Sequence, residues 1–390
     1  MPKHDHTIAC SVGINADPAQ GAVVPPLYLS ANYSFAGYGE KRAYDYSRSG
    51  NPTRSLLAEA IAELERGAGA VVTSSGMSAV DLVLSLLEPG ALVIAPHDCY
   101  GGTWRLFDAR ARKQAIQVAF VNQNDTAAVD AALARRPALV WIETPSNPLM
   151  RIVDVAALAR RAKAAGARVA VDNTFLSPAL QKPIELGADF VVHSTTKYLN
   201  GHSDVVGGAV VAATAADVEQ LTWWANCTGV TGAPFDAWLT LRGLRTLGVR
   251  IAQQEQTAAF IARWLDVHPA VARVHYPGLP QHPGHEIART QQSGFGAMLS
   301  FELADAAGAR VFSAKLRSFT LAESLGGIES LIAHPASMTH ASMSPEARAV
   351  AGIGDALFRL SIGLEHADDL IRDLEVALDD RIYPISKDVR

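Results

Sequence analysis

The stretch Phe190-Val191-Val192-His193-Ser194-Thr195-Thr196-Lys197-Tyr198-Leu199-Asn200-Gly201-His202-Ser203-Asp204 decides the fold. Residues 190–192 are apolar and mostly β-branched, the composition of a short strand. The run ends abruptly in hydroxyl residues and a lysine, which suit a turn at a strand end. The same pattern recurs upstream. Residues 168–171 lead into Asp172-Asn173-Thr174, residues 138–142 into Glu143-Thr144-Pro145-Ser146-Asn147-Pro148, and residues 70–73 into Ser74-Ser75-Gly76-Met77-Ser78. Residues 92–95 form a further strand. Helical stretches fill the intervals: residues 56–64, stopped by Gly67 and Gly69, and a helix from an Asp154 N-cap to Ala165, with Gly166 at its end. Strands alternating with helices predict an α/β fold with a mostly parallel sheet, because each parallel crossover needs a covering helix.

Outward from this core the chain changes character. Residues 1–55 are rich in Pro, Gly, Asn and Ser, show little helical periodicity, and carry Tyr28, Tyr33, Tyr38, Tyr44 and Tyr46. Disordered tails are poor in aromatics, so this segment reads as an arm held by other structure. Beyond a helix near residues 260–267, Pro269, Pro277-Gly278, Pro280 and Pro283-Gly284 break the chain. Residues 297–302 and 358–362 then read as strands. The expected organisation is an arm over 1–55, a large domain over 56–246 and a smaller α+β domain over 247–390.

Composition narrows the function. With 49% hydrophobic and 19% charged residues over 390 positions, the chain can bury substantial cores. Lys and Arg number 34 against 39 Asp and Glu, a net charge of −5, which argues against nucleic-acid binding. Cys10, Cys99 and Cys227 form no C-x-x-C pair, which fits a reducing, cytoplasmic setting. No apolar run reaches the ~20 residues of a membrane span, and the polar N-terminus has no signal-peptide pattern. His282-Pro283-Gly284-His285-Glu286 superficially suggests a metal helix, but Pro and Gly between the ligands break it, so no metal is expected.

In a parallel sheet, ligands bind beyond the carboxyl ends of the strands. Asp172 and Lys197 follow successive strands there. A lysine that directly follows the hydroxyl residues Ser194 and Thr196 can form a Schiff base with pyridoxal phosphate, with Asp172 on the ring nitrogen and the small-residue turn at Gly76 receiving the phosphate. On periodicity alone Lys197 also reads as a solvated surface lysine, the usual place of a lysine, and Asp172 as a helix N-cap or turn former.

Longer motifs carry a resemblance. The chain resembles the Cys/Met-metabolism group of fold-type-I pyridoxal-phosphate enzymes along nearly its whole length. The resemblance rests on Asp45-Tyr46-Ser47-Arg48 with Gly50-Asn51-Pro52-Thr53, Ala95-Pro96-His97-Asp98-Cys99-Tyr100-Gly101-Gly102, and Ser146-Asn147-Pro148. It continues through Val171-Asp172-Asn173-Thr174, the Ser194–Asp204 stretch, and Glu323-Ser324-Leu325-Gly326-Gly327. It implies Lys197 as the Schiff-base lysine and proton shuttle, Asp172 as the pyridinium partner and Tyr100 as the stacked aromatic. Gly76, Met77, Ser194 and Thr196 resemble the phosphate cup. Tyr46 and Arg48 resemble phosphate ligands lent by a neighbouring subunit, which implies active-site dimers within a homotetramer. Arg359 resembles the residue gripping the substrate α-carboxylate, assisted by Asn147 and Ser324.

Glu323 matches the γ-synthases and γ-lyases, whereas β-lyases carry an aromatic residue there. Gly102 stands where methionine γ-lyases carry a Cys. Arg105 and Trp223-Trp224-Ala225-Asn226 resemble γ-synthases, which makes Arg105 and Asn226 candidates for the distal carboxylate or acyl group. Asp45 joins this substrate set. Ser49 replaces a second Arg of some γ-synthases, leaving succinyl and acetyl both open. The implied activity is γ-replacement, joining O-acyl-L-homoserine, the succinyl ester favoured, with L-cysteine into L-cystathionine for methionine biosynthesis. The alternatives are cystathionine γ-elimination, alone or alongside synthesis, and, least favoured, cofactor binding without catalysis.

Overall fold

The computed structural model describes residues 3–341, 343 and 345–379. The parts of the arm and small-domain assignments that fall on residues 1–2, 342, 344 and 380–390 lie outside the described residues. Seven strands build the main sheet: β1 (Gly69–Thr73), β2 (Ala91–Pro96), β3 (Ile116–Val121), β4 (Leu139–Glu143), β5 (Arg168–Asp172), β6 (Phe190–His193) and β7 (Gly208–Ala212). Their order is β1-β7-β6-β5-β4-β2-β3. Only β7 runs against its neighbours; the other pairings are parallel. Strands β4 and β7 are buried along their whole length, as expected where helices cover both faces. The period-2 alternation of a strand sorts the core: Leu139 and Trp141 pack into one apolar cluster, Val140 and Ile142 into the opposite one.

A second sheet holds β8 (Val271–His275), β9 (Met298–Leu303), β10 (Thr320–Leu321), β11 (Leu331–Ala333) and β12 (Leu357–Ser361), in the order β10-β11-β12-β9-β8. Its apolar face merges with that of the main sheet. Leu57, Ile61, Ile251, Ile261, Leu299, Phe301 and Phe358 belong to one continuous cluster. This continuity fixes where β12 stands relative to the carboxyl ends of β4, β5 and β6. Among the described residues, no helix is long and apolar enough to cross a membrane.

Several elements differ from the sequence expectation. Strands β3, β7, β8, β10 and β11 go beyond the sequence expectation; β10 and β11 are only two and three residues long, and β7 is apolar on both faces. The helix expected at 260–267 spans Leu247–Asp266. Buried Arg250 and Gln254 interrupt the apolar stripe of its first half, which hides the helical period. The helix expected at 56–64 spans Pro52–Glu65, because the Asn51 side chain accepts the Thr53 and Arg54 N–H groups and Pro52 suits the first turn. The arm itself contains a helix, Asp5–Ser11, whose Ile8 and Ala9 are buried. The Asp154 cap is as expected, accepting the Ala157 N–H at 2.8 Å.

Candidate active site

Parallel pairing sets Glu143 level with Asp172, and Asp172 level with Val192, so the turns after β4, β5 and β6 open on one edge of the sheet. After β1, Ser75 caps the helix Gly76–Leu84 by accepting the Ser78 N–H at 3.0 Å. The start of this helix lies hard against the β6 turn. A Cβ added at Gly76 would sit 2.8 Å from Ser194 Cβ and 3.0 Å from its Cα. Glycine therefore brings a helix N-terminus, with its free N–H groups, beside the Ser194 hydroxyl, an arrangement suited to a phosphate. The hydroxyl of Thr196 accepts the Gly207 N–H at 3.0 Å and approaches the Gly207 carbonyl at 3.2 Å, so in this structure it faces the β7 approach.

Lys197 sits in the next position of that turn. Its Nζ donates to Ser324 Oγ at 2.7 Å, and burial, aided by Arg359, lowers its pKa to about 8. Arg250 braces the turn from beneath, donating to the Tyr198 carbonyl at 2.9 Å and to the Gly243 carbonyl at 2.9 Å. Gly201, at φ +74°, leaves the space its guanidinium occupies. Asp172 accepts the Thr174 N–H at 3.0 Å, and burial raises its carboxyl above the ordinary value. Glu143 beside it is raised well above its ordinary value by burial and by Asp172. It accepts the Tyr100 N–H at 2.8 Å and the Asn147 N–H at 3.3 Å. Its two oxygens thus fix both neighbouring turns.

Tyr100 is partly exposed. Its ring lies against Gly102 and Met77: a Cβ at Gly102 would come 2.5 Å from Tyr100 Cε1 and 2.9 Å from Met77 Sδ. Burial raises the phenol, Glu323 adds to that, and Arg105 opposes it, which puts both charged groups near the ring. Across the site, Arg359 on β12 is buried, donating from Nη1 to Asn147 Oδ1 at 3.0 Å and from Nη2 to the Ser324 carbonyl at 2.8 Å. Its Nε is buried with no partner. Ser324, at φ +83°, sits in the left-handed region, so one strained residue presents its hydroxyl to Lys197 and its carbonyl to Arg359.

Lys197, Asp172, Tyr100, Gly76, Met77, Ser194, Asn147, Ser324, Glu323, Arg105 and Arg359 therefore belong to one region. Thr196 stands in the same turn as Lys197 but bonds Gly207, and the remaining candidates, Asp45, Tyr46, Arg48 and Asn226, form a second group. Arg48 Nη1 donates to the Asn226 carbonyl at 2.7 Å and to its Oδ1 at 2.8 Å, and the guanidinium lies 5.6 Å from the Tyr46 ring centroid. Asp45 pairs with Lys41 at 2.5 Å and accepts Ser49 Oγ at 2.9 Å, contacts that bring its pKa to about 2. Among the described residues, no hydrogen bond or ion pair joins this group to the Lys197 region. Sequence reasoning missed Glu143, Arg250 and a fully buried Glu65–His193 pair, whose Oε1 and Nε2 are 2.6 Å apart. Glu143 alone left a signal, as a carboxylate at a strand end.

The Lys197 region fits pyridoxal phosphate on its own terms. Its lysine is half-buried, with a pKa lowered to about 8, and hydrogen-bonded to the Ser324 hydroxyl; a helix N-terminus faces Ser194; and among the described residues the half-buried Asp172 carboxylate has no cationic hydrogen-bond partner. A ring nitrogen that carries a proton would relieve that carboxylate.

Residues 6–379 match the family described as Cys/Met metabolism PLP-dependent enzyme. The chain is 56% identical to cystathionine gamma-synthase of Escherichia coli strain K12, covering 96% of this chain and 98% of that protein. It is 44% identical to cystathionine gamma-lyase of Bacillus subtilis strain 168, again over 96% of this chain and 98% of the relative. Cystathionine gamma synthase from Xanthomonas oryzae pv. oryzae, solved in complex with cystathionine, superposes with a TM-score of 0.96 at 59% identity, covering 97% of this chain and 98% of that one. Sequence, fold and site agree: this chain belongs to the Cys/Met metabolism PLP-dependent enzyme family.

Proposed function

We propose that this enzyme replaces the acyloxy group of O-acyl-L-homoserine, the succinyl ester foremost, with the sulfur of L-cysteine, releasing the acylate and forming L-cystathionine. The observation that carries the reading is the triangle of Lys197, Ser324 and Arg359, which sets an amine of lowered pKa, about 8, beside a carboxylate grip. Lys197 would hold pyridoxal phosphate covalently, Asp172 would face its ring nitrogen, Tyr100 its ring, and Gly76, Met77, Ser194 and Thr196 its phosphate. When bound, the cofactor supplies an electron sink for bonds at the substrate Cα and Cβ.

The chain's own residues do the rest. Arg359, with an unpartnered Nε and an Nη1 already oriented by Asn147, takes the substrate α-carboxylate through paired N–H donors. Lys197 Nζ, at about 8, exchanges protons in both directions near neutral pH, first at Cα and then at Cβ. Ser324 keeps the amine within reach of both carbons while its carbonyl anchors Arg359. Glu323 and Arg105 flank Tyr100 and serve the distal end of the substrate. At Cγ the C–O bond breaks, the acylate leaves with its electron pair, and the cysteine thiolate forms the new C–S bond.

The arm completes the site in an assembly. Asp45, Tyr46, Arg48 and Asn226 cluster apart from their own Lys197, as residues serving a neighbouring copy would, and we assign the chain to active-site dimers within a homotetramer. On this reading residues 1–55 are the arm, 56–246 the cofactor domain and 247–390 the small domain. A second reading, γ-elimination of cystathionine to cysteine, 2-oxobutyrate and ammonia, alone or alongside synthesis, shares Glu323 and uses the same Lys197 and Arg359. Lys197→Ala tests the common core. The variant is expected to bind pyridoxal phosphate only noncovalently and to lose turnover; near-wild-type turnover would refute the assignment.

A further inference from the structure

Asn147 and Arg359 belong to different sheets, yet a carboxylate grip demands that they keep a fixed separation. Asn147 stands in the turn after β4, Arg359 on β12. The turn carries two cis prolyl bonds, Thr144–Pro145 and Asn147–Pro148, and no strand pairing of its own. Ser300 on β9 donates to the turn's Pro148 carbonyl at 2.6 Å, and the segment between β11 and β12 packs against it. Leu149 packs with Ala336, Met343, Ala351, Ile353 and Leu357 in a small separate apolar cluster. Arg151 Nη2 donates to the Ala351 carbonyl at 2.8 Å, while its Nη1 reaches Asp98 Oδ2 at 2.7 Å; the same oxygen accepts Ser146 Oγ at 2.8 Å.

One residue of that segment reaches Asn147 itself. His340 is fully buried, and its Nε2 lies 3.1 Å from the Asn147 carbonyl. A carbonyl can only accept, so Nε2 carries the proton, and Nδ1 accepts from Thr339 Oγ1 at 2.9 Å. Burial, with the Arg359 guanidinium nearby, lowers this histidine to about 4, so the neutral form persists at working pH. Asn147 is then fixed at three atoms: its N–H by Glu143, its carbonyl by His340 and its Oδ1 by Arg359.

We propose that His340 is a positioning residue that sets the Asn147–Arg359 pair for the substrate α-carboxylate, through the bond from its Nε2–H to the Asn147 carbonyl. The inference rests on the reading of Arg359 as the carboxylate grip. His340 touches neither substrate nor cofactor, so it acts on amino-acid binding and leaves proton transfer at Lys197 alone.

The test uses the holoenzyme and four variants. His340→Leu fills the space without a donor, His340→Gln restores an N–H donor, Thr339→Val removes the partner that selects the tautomer, and Arg359→Lys probes the grip itself. The readouts are KM for O-succinyl-L-homoserine, KM for cysteine, kcat, melting temperature, and the dissociation constant of L-alanine as an unreactive carboxylate ligand, followed by the cofactor absorbance. The expected result for His340→Leu is about a tenfold rise in KM for the ester and in the L-alanine constant, with kcat and the cysteine KM within about twofold, the size of one lost hydrogen bond. His340→Gln returns both to within about threefold of wild type. Unchanged ester KM in His340→Leu, while Arg359→Lys raises it, overturns the positioning role. An unchanged ester KM in Arg359→Lys instead overturns the grip on which it rests. Should His340→Leu fail to fold, Thr339→Val decides: a rise of about threefold supports the role, and no rise overturns it.

Discussion

Gly76→Ala separates a functional close contact from ordinary helix chemistry, because the two predict opposite signs. Gly76 opens a helix and does not have a positive φ. In open space the change to alanine would stabilise the fold by ~0.4–1 kcal/mol, mostly through the unfolded chain. Here the new methyl would lie 2.8 Å from Ser194 Cβ and 3.0 Å from Ser194 Cα. The second of these is backbone, so no rotamer change relieves it. Overpacking of this kind costs ~1–3 kcal/mol. The net is a loss of roughly 1–2 kcal/mol, taken up by separating the Ser74–Ser78 turn from the Ser194–Lys197 turn. Those two turns face the cofactor phosphate, so the strain should appear as ~5- to 30-fold weaker pyridoxal phosphate binding. The assay is removal of the cofactor, titration back with pyridoxal phosphate followed by absorbance, and a melting curve of the apo protein beside it. A variant that melts higher than wild type and binds the cofactor equally well would refute the contact and the phosphate role assigned to it.

Two further outcomes follow from the same geometry. Ser324→Ala removes the hydroxyl to which Lys197 Nζ donates but keeps the carbonyl that Arg359 uses; kcat should fall about tenfold with cofactor content and ester KM little changed, and a larger change in KM than in kcat would contradict the tethering role. The second concerns pH. His340 is lowered to about 4 from an ordinary value of 6.5, so the unfolded chain takes up a proton between those limits that the folded protein refuses. Its contribution to stability is complete above pH 6.5 and is lost as pH falls toward 4, up to roughly 3 kcal/mol. Asp172 and Glu143, raised by burial, act in the opposite sense, favouring the fold more as pH falls. Comparing wild type with His340→Gln cancels them: the difference in denaturation midpoint should shift in favour of the variant from pH 7 to pH 4.5, and a constant difference would contradict it.

What was legible in the sequence was whatever local pattern could carry. Asp172 and Lys197 stand at the ends of short β-branched runs, and a parallel sheet necessarily gathers such ends on one edge; Glu143 left the same signal without being assigned a role. The Asp154 cap and the Gly166 stop mark their helix because capping is a contact between near neighbours in sequence. Strand β7 was hidden because Gly208-Ala209-Val210-Val211-Ala212 is short and apolar on both faces, with no alternation to announce it. Its antiparallel insertion between β1 and β6 is a long-range choice. The supporting residues were hidden for a related reason. Arg250, His340 and the Glu65–His193 pair act by being buried against carbonyls, carboxylates or amides far away in the chain, and nothing local marks them. Asn226 was grouped with the substrate residues, whereas here it binds Arg48 within the same chain. Only an assembly would carry that pair to a substrate.

The central claim is γ-replacement at the Lys197 site, and product analysis tests it most directly. The holoenzyme is incubated with O-succinyl-L-homoserine and isotopically labelled cysteine, and products are followed over a time course. The account predicts labelled cystathionine accumulating in step with released succinate. Appearance of 2-oxobutyrate and ammonia, with labelled cystathionine transient or absent, would contradict it and assign the site to elimination.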